Sequence, residues 1–119
     1  HNMMKIYVLS LAPGEAFLKT PIEECHINPH NIAHGGVSFS LADTAMGMAV
    51  RTYNTDGVTV EMNINYLKPA KLGDIIYSTG RVVDFGKRII VVRGDVVNQH
   101  GELIADSRAT YYNRGIKLI

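Results

Sequence analysis

The sequence has little cysteine, little net charge and no long apolar run, and each of these scarcities excludes a class of protein. A single cysteine, Cys25, rules out an internal disulfide framework and fits a reducing compartment, so a cytoplasmic location is expected. No stretch approaches the roughly 20 apolar residues that a membrane helix needs. The formal net charge is +1, and no basic run is longer than Lys87-Arg88, so nothing favours nucleic-acid binding.

The remaining composition is that of an ordinary globular protein, with 46% hydrophobic and 19% charged residues. The length suits one domain, so residues 1–119 are expected to fold around a single core. Residues 1–3 are expected to be a cloning remnant or a disordered start. The apolar segment Met4–Leu11 resembles a signal peptide only superficially, because a Pro-Gly turn follows it where a cleavage site should lie, so a strand is expected.

The predicted order of elements is two strands, one long helix and four further strands. The predicted strands cover 6–11, 16–22, 58–67, 75–84, 88–98 and 102–113, and the helix covers 36–53. Alternation from residue 58 onward predicts one buried row: Val58, Val60, Met62, Ile64 and Tyr66. Short turns predict an antiparallel meander. The expected fold class is α+β, a curved antiparallel sheet wrapped around one central helix.

Asp43 is the most informative residue, because it is a solitary carboxylate in the middle of the predicted helix. The segment Val37–Val50 around it is apolar on nearly every face, which predicts a helix surrounded by protein. An unpaired carboxylate is costly to bury there unless it is protonated or given partners. Just upstream, Gly35 and Gly36 let the backbone open a helix in close contact with another group. A costly acid downstream of exposed N–H groups predicts a reaction centre.

Four segments of the chain carry a family pattern. The run Asn-Pro-His-Asn-Ile-Ala-His-Gly-Gly at 28–36 is followed by Leu-Ala-Asp-Thr-Ala at 41–45, by a strand and turn at 58–74, and by a weaker match at 101–105. Together they resemble the hotdog-fold acyl-CoA thioesterases of the PaaI type, in the 4-hydroxybenzoyl-CoA thioesterase-like superfamily. Such sequences often carry glycine in place of Asn31, and some carry serine in place of Thr59.

The resemblance implies an acyl-CoA thioesterase that releases a free fatty or aryl acid and CoA, with no cofactor beyond the CoA of the substrate. It places the base or nucleophile on Asp43, and it implies that Asn28 and His34 orient the water or the substrate carbonyl. Activation of water and direct attack to form an anhydride both stay open. The resemblance also implies homodimers joined through a continuous sheet, often paired into homotetramers.

The spacing of Gly36 and Asp43 has a consequence for such a reaction. The Gly36 N–H, with the positive end of the helix dipole behind it, suits polarisation of a thioester oxygen. Seven residues put Gly36 and Asp43 on one helix face but roughly 10 Å apart. That is too far to hold one carbonyl carbon, so the two groups should come from different chains with antiparallel helices. The spacing predicts an obligate dimer with two composite sites.

Hydroxyls and cations complete the predicted site. Thr59 could hold the attacking water or be an ordinary strand residue, and for Thr44 helix packing is the simpler explanation. Because CoA carries phosphates, cations are expected near the mouth of the site, with solvated surface positions as the alternative. The predicted substrate-binding residues are Gly35, Thr44, Lys68, Lys71, Arg81, Lys87 and Arg88.

Other functions stay open at this point. A hotdog enoyl-CoA hydratase or dehydratase would pair His34 with Asp43 for proton transfer at carbon. A non-catalytic acyl-CoA-binding module would be better served by an apolar residue in place of Asp43. The spacing of His26, His30 and His34 by four would suggest a metal site on a helix, but the proline at position 29 interrupts such a helix, so no metal is expected.

Overall fold

The computed structural model describes residues 4–29, 32–115 and 117–118, so the expectations for 1–3, His30 and Asn31 lie outside the described residues. The described chain forms one long helix and six strands, with a short 3-10 turn (Glu24–His26) ahead of the helix. The elements in chain order are β1 (Tyr7–Ala12), β2 (Glu15–Pro21), α1 (Gly35–Arg51), β3 (Gly57–Tyr66), β4 (Ile75–Phe85), β5 (Ile89–Val97) and β6 (Leu103–Asn113).

All six strands join one antiparallel sheet in the order β1-β2-β4-β5-β6-β3. The sheet and the helix confirm the predicted fold class, but the predicted meander is only partly right, because β3 lies beyond β6 and not beside β4. Three strand spacings separate β3 from β4, about 14 Å. The connecting segment 67–74 is long enough to span that distance when extended, which permits the crossover.

Helix α1 lies across the inner face of β2, β4 and β5. Its buried residues are Val37, Ser38, Leu41, Ala42, Ala45, Met46, Ala49 and Val50. The opposite face is open in the single chain, where Phe39 is exposed and Asp43 is half-buried. The expectation of a helix enclosed on every side is therefore wrong for one chain. One helix about 10 Å across covers only part of a sheet six strands wide.

The close approach of α1 to the sheet depends on two paired glycines. Gly80 of β4 lies directly opposite Gly94 of β5. A Cβ at Gly80 would overlap the backbone carbonyl of Ala45, and a Cβ at Gly94 would lie 2.9 Å from Cγ of Met46. Neither position has room for a side chain, so the helix backbone rests almost directly on the strands.

Both edge strands expose apolar side chains. On β3, Val58 and Val60 are 44% and 62% exposed, and on β1 the exposed apolar residues are Tyr7, Val8, Leu9 and Leu11. Free edges of this kind can pair with another chain. No helix among the described residues is both long enough and apolar enough to cross a bilayer.

We expect Gly80→Ala to lower the free energy of unfolding by about 3 kcal/mol, because the added methyl must displace backbone and not a flexible side chain. Urea denaturation followed by circular dichroism measures this loss. The control is Gly47→Ala in helix α1. Its Cβ would lie 3.7 Å from the Tyr111 hydroxyl, an ordinary contact, and alanine favours the helix, so stability should be unchanged or higher. Wild-type stability of Gly80→Ala would show that α1 can move away from β4.

Candidate active site

A β-bulge in β3 decides which of its side chains face the helix. Against β6, Thr59 lies opposite Tyr111 and Glu61 lies opposite Thr110, so Val60 is an extra residue in β3. A bulge of this kind interrupts the regular alternation of a strand and turns a side chain in a new direction. Odd-numbered residues therefore face the helix before Val60, and even-numbered residues face it after Val60.

The bulge overturns part of the buried row predicted from the sequence. Met62 and Ile64, which follow the bulge, are half-buried as expected, whereas Val58 and Val60 are exposed. Tyr66 is also exposed, but it lies at the end of the strand and not at the bulge.

Before the bulge, Gly57 faces the core. A Cβ at Gly57 would lie 3.1 Å from Val50 and 3.3 Å from the ring of Tyr111. Thr59 stands two residues later in the strand, so it shares this inner side. The bulge therefore turns a hydroxyl, and not a valine, toward the helix.

Tyr111 brings β6, β3 and α1 together at one point. The residue is only 4% exposed, and it lies directly opposite Thr59 of β3. The hydroxyl also lies against the helix, since a Cβ at Gly47 would be 3.7 Å from it. Asp43 precedes Gly47 by one helical turn and lies on the same helix face. The structure thus groups the carboxylate of Asp43 with the hydroxyls of Thr59 and Tyr111.

The charge of Asp43 affects the pKa of Tyr111. Burial raises the pKa of Tyr111 above its usual 10.0, the neighbouring hydroxyl of Thr59 opposes that rise, and the negative charge of Asp43 adds to it. The phenol therefore keeps its proton at neutral pH. Asp43 itself is half-buried, and no described side chain forms an ion pair or a hydrogen bond with its carboxylate. The acid is left available for chemistry.

The raised pKa predicts a loss of stability in alkali. The unfolded chain ionises Tyr111 near pH 10.0, whereas the folded chain holds the proton to higher pH. This contribution to stability is complete below pH 10.0 and is lost as the pH rises toward the folded pKa. In urea denaturation between about pH 9 and about pH 11, Tyr111→Phe should therefore lose stability less steeply than wild type. Parallel curves would contradict the assignment.

The amino end of α1 offers an open backbone N–H. The Val37 N–H donates to the His34 carbonyl at 3.0 Å, whereas no acceptor for the Gly36 N–H lies among the described residues. A Cβ at Gly36 would meet nothing within 4 Å. The Gly36 N–H therefore has no acceptor among the described residues and has the positive end of the helix behind it, so it can polarise a carbonyl oxygen.

Tyr66 holds the first turn of the helix in place. Its hydroxyl donates to the carbonyl of Gly35 at 3.1 Å, and a Cβ at Gly35 would lie 3.1 Å from its ring. A cavity of about 360 Å³ opens beside this contact. It is lined by Ile32, Ala33, Gly35, Ser38, Tyr66, Leu67, Lys68, Pro69 and Ala70. The glycine predicted to bind substrate therefore lies in the wall of a largely apolar cavity.

Asn28 and His34 frame the loop before the helix. The side-chain oxygen of Asn28 accepts a hydrogen bond from the Ile32 N–H at 3.3 Å, and the Asn28 N–H donates to the Ile32 carbonyl at 2.9 Å. His34 is the exposed N-cap residue, and its side chain makes no capping hydrogen bond. Its N–H donates to the His26 carbonyl at 2.9 Å. Asn28 thus stabilises the loop, and the His34 ring lies beside the open helix end.

The predicted catalytic residues form two groups within one chain. Asp43 and Thr59 both lie near the hydroxyl of Tyr111, and Asn28, His34 and Gly36 lie at or just before the start of the helix. Because Gly36 and Asp43 are on one continuous helix, about 10 Å still separates the two groups. One chain therefore does not hold the acid and the open amide against the same carbonyl.

Thr44 lies in the wall of a second cavity. Its hydroxyl donates to the Ser40 carbonyl at 2.8 Å, which agrees with helix packing as the simpler explanation. The cavity measures about 220 Å³ and is lined by Thr44, Gly47, Met48, Val50, Arg51, Asp56, Gly57 and Tyr111. It extends the site from the acid toward the carboxyl end of α1.

Lys68 and Lys71 lie near the amino end of the helix. Lys68 lines the cavity there, and Lys71 pairs through its backbone with Ile32. The ammonium of Lys68 forms an ion pair with Glu102 at 3.1 Å. A hydrogen bond from Asn98, and then the bond and charge of Lys68, hold the pKa of Glu102 below its usual value. Lys68 is therefore partly neutralised within the chain.

The other predicted cations lie elsewhere. Lys87 and Arg88 form the turn between β4 and β5, which reaches the carboxyl end of α1, where the rings of Tyr53 and Phe85 are 4.5 Å apart. The 17-residue helix is about 25 Å long, so this turn is far from Lys68 in one chain. Arg81 follows the inward-facing Gly80, so it projects from the outer face, where it pairs with Glu15 at 2.9 Å.

Glu23, Cys25 and His26 place three potential metal ligands within 4.8 Å of one another. However, Nδ1 of His26 accepts a hydrogen bond from the Glu23 N–H at 3.0 Å. A neutral ring that accepts at Nδ1 carries its proton on Nε2, so neither nitrogen offers a lone pair to a metal. His26, at 2% exposure, acts as a cap of the short 3-10 turn.

Comparison with known proteins agrees with this geometry. Residues 30–105 match the family model described as the Thioesterase superfamily. Human acyl-coenzyme A thioesterase 13 is 38% identical over 109 residues, which cover 89% of this chain and 78% of that protein. The structure of the Escherichia coli PaaI protein has a TM-score of 0.91 at 30% identity, covering 94% of this chain and 81% of the other. A hypothetical thioesterase with coenzyme A from Streptococcus pneumoniae TIGR4 has a TM-score of 0.90 at 30% identity, covering 95% and 91%.

The chain belongs to the thioesterase superfamily, whose members share the sheet and central helix found here. Within that superfamily it is a PaaI-type hotdog thioesterase, and so an enzyme that hydrolyses thioesters. The resemblance noted in the sequence is confirmed at the level of family and fold.

Tyr111 is the one member of the acid–hydroxyl group that the sequence did not indicate. Alternation along the last strand places it inward, and a buried tyrosine needs a partner for its hydroxyl. The partner could not be identified, because the register that sets Thr59 opposite Tyr111 depends on the bulge at Val60.

Proposed function

We propose that this enzyme hydrolyses acyl-CoA thioesters to a free acid and CoA, with Asp43 as base or nucleophile. The observation that best supports this proposal is the half-buried, unpaired carboxylate of Asp43 beside the hydroxyls of Thr59 and Tyr111. Two relatives, from human and from Escherichia coli, are named acyl-coenzyme A thioesterases, and the Streptococcus pneumoniae thioesterase was crystallised with coenzyme A. A fatty or aryl acyl group suits the apolar lining of the cavity beside Tyr66.

A spacing in a relative supports the pairing of Asp43 with Thr59. The Streptococcus pneumoniae thioesterase has been solved with an aspartate changed to alanine and with a threonine changed to alanine. Those two positions are 16 residues apart, the same separation as Asp43 and Thr59. The match favours a joint role for the two side chains.

In the water route, Asp43 takes a proton from a water held by Thr59 while the water oxygen attacks the thioester carbon. The negative charge that develops on the carbonyl oxygen is stabilised by the N–H of Gly36 of the partner subunit. The C–S bond then breaks, and the thiolate of CoA takes up the proton. In the alternative route Asp43 attacks directly, and water hydrolyses the resulting anhydride. Neither route needs a cofactor or a metal.

The composite site requires a homodimer. Helix α1 covers β2, β4 and β5 and contacts β3 much less, which leaves room for a second helix over that side of the sheet. The exposed apolar edge of β3, with Val58 and Val60, suits pairing into a continuous sheet. An antiparallel pair of helices would bring Gly36 of the partner subunit toward Asp43. Exposed apolar residues on the opposite edge, β1, support further pairing into a homotetramer.

The same arrangement assigns the remaining residues. With antiparallel helices, the lysines near one helix start (Lys68 and Lys71) approach the turn with Lys87 and Arg88 of the other subunit, and together they can face the phosphates of CoA. Arg81 projects from the opposite face of the sheet and has no part in the proposed site. The single exposed cysteine supports a cytoplasmic location.

A thiol-release assay over short, long and aromatic acyl-CoAs tests the activity. We expect Asp43→Asn to lower kcat by at least about 100-fold, because the proton acceptor or nucleophile is removed. The control is Asp84→Asn, an exposed carboxylate on β4 that should leave kcat unchanged. Hydration of an enoyl-CoA without thiol release would instead identify a hydratase.

Hybrid dimers test whether the site is shared between chains. Gly36→Pro removes the N–H at a position where the first helical turn tolerates proline, and Asp43→Ala removes the acid. A hybrid of the two variants keeps one intact site out of two. Random mixing should therefore restore about one quarter of wild-type activity from two inactive parents, because about half of the dimers are hybrids. No recovery in verified hybrids would place both groups in one chain.

A further inference from the structure

The outer face of the sheet, opposite to helix α1, carries two rows of like charge. Neighbouring strands place three arginines directly opposite one another, and these are Arg81, Arg93 and Arg108. Two residues farther along the strands, a second row places Asp95 opposite Asp106. The residues between the two rows face the helix, so the side chains of both rows point away from it.

Contacts within one chain do not balance these charges. Like charges directly opposite one another destabilise a sheet, so a row of arginines needs compensating acids. Arg93 reaches Asp106 at only 3.7 Å. Among the described residues, Arg108 and Asp95 form no ion pair. The carboxylate of Asp95 is instead held on the outer face by a hydrogen bond from the N–H of Thr79 at 3.2 Å. One charge of each sign therefore lacks an ionic partner.

Strand β5 shows which surface complements these rows. Its outward-facing residues are, in order, Val91, Arg93, Asp95 and Val97, with Gly94 at their centre. A two-fold axis that runs across the strands over Gly94, parallel to the face, exchanges the positions of Arg93 and Asp95. It likewise exchanges the two valines. Two copies related by this axis therefore place each arginine of β5 over an aspartate of the other copy.

The same rotation suits the neighbouring strands. Each strand then lies over its own copy, so Arg108 faces Asp106 of the partner subunit, and Asn63 faces Asn65 of the partner subunit. The exposed β1 edge lies over the β1 edge of the other copy as well. A hollow of about 620 Å³ on this face is lined by all three arginines and both aspartates, which leaves room for side chains of the second copy.

The size of the face fits a stable contact between proteins. Six strands have five spacings of about 4.8 Å, so the sheet is about 24 Å wide. The nine residues of β5 extend about 30 Å. The face therefore measures about 700 Å², close to the roughly 800 Å² that each partner buries in a standard interface. Stacked sheets lie about 10 Å apart with nearly aligned strands, a distance that long arginine side chains can bridge.

We propose that the outer face binds a second copy of this chain through an isologous contact centred on Gly94. In this contact Arg93 and Arg108 of each copy pair with the aspartates of the other copy. The contact lies on the opposite side of the sheet from Asp43, so this inference goes beyond the proposed reaction and does not rest on it. Together with pairing through β3, the contact joins two homodimers into a homotetramer.

Charge reversal at the centre of the contact tests the proposal. Arg93→Asp makes aspartates face aspartates, and Asp95→Arg makes arginines face arginines. Each change should weaken the association at least about 100-fold and halve the number of chains per particle in sedimentation velocity. The control is Glu24→Arg, which changes the net charge as much as Asp95→Arg but lies in the 3-10 turn outside the sheet, and it should keep the wild-type particle. Reversals that leave the number of chains unchanged would overturn the contact.

Mixing the two variants tests the pairing itself. Where Arg93→Asp meets Asp95→Arg, both opposed positions again carry opposite charges. The mixture should therefore recover the wild-type number of chains, although neither variant does so alone. A double variant with both changes in one chain should recover it too, because the two charges have only exchanged places. Two variants that are folded by circular dichroism but stay dissociated when mixed would contradict the pairing of these rows.

Thiol release separates this inference from the proposed function. All these variants should release thiol at the wild-type rate per chain, because the outer face is remote from Asp43. A wild type that releases no thiol from any acyl-CoA, yet loses half of its chains on charge reversal, would overturn the proposed function alone. An active wild type whose particle is no larger than those of Arg93→Asp and Asp95→Arg would overturn the inference alone.

Discussion

The rest of the structure depends on the close packing of α1 against Gly80 of β4 and Gly94 of β5. With Gly80 beneath Ala45, the helix backbone lies against the sheet, and the opposite helix face, which carries Gly36, Asp43 and Gly47, is turned away from β4. The height of the helix above the sheet sets how near Gly47 comes to Tyr111. A bulkier residue in β4 would lift the helix and separate the carboxylate from the hydroxyls.

The bulge at Val60 is the second feature that fixes the site, because it breaks the regular in–out alternation of side chains along β3. Regular alternation would have turned Val60 inward and Thr59 outward. The extra residue exposes two valines on the free edge and brings a hydroxyl opposite a buried tyrosine. Functional sites are where local rules of this kind are expected to be broken. The one extra residue therefore both exposes apolar side chains on the sheet edge and places Thr59 in the site.

The sequence predicted the features that depend on local patterns and missed those that depend on register and assembly. Asp43 and Gly36 were identifiable because an acid in an apolar helix and a glycine at a helix start each have a distinct physical cost or benefit. The position of β3 beyond β6 could not be predicted, because the 67–74 connection is long enough to join β4 to a strand on either side of the sheet. Tyr111 was missed because its partner depends on a bulge that composition does not indicate.

The error about the helix is itself informative. An apolar pattern on nearly every face predicts burial, yet one chain leaves the face with Gly36, Phe39 and Asp43 partly or fully exposed. Sequence patterning reflects the environment in the working assembly, so an apolar residue exposed on this face supports the proposed dimer, in which a second chain covers it. In the proposed dimer Asp43 stays hydrated until association. The apolar contacts of the helix and the β3 edge then offset the cost of desolvating it, so the acid becomes reactive only where the partner's amide is present.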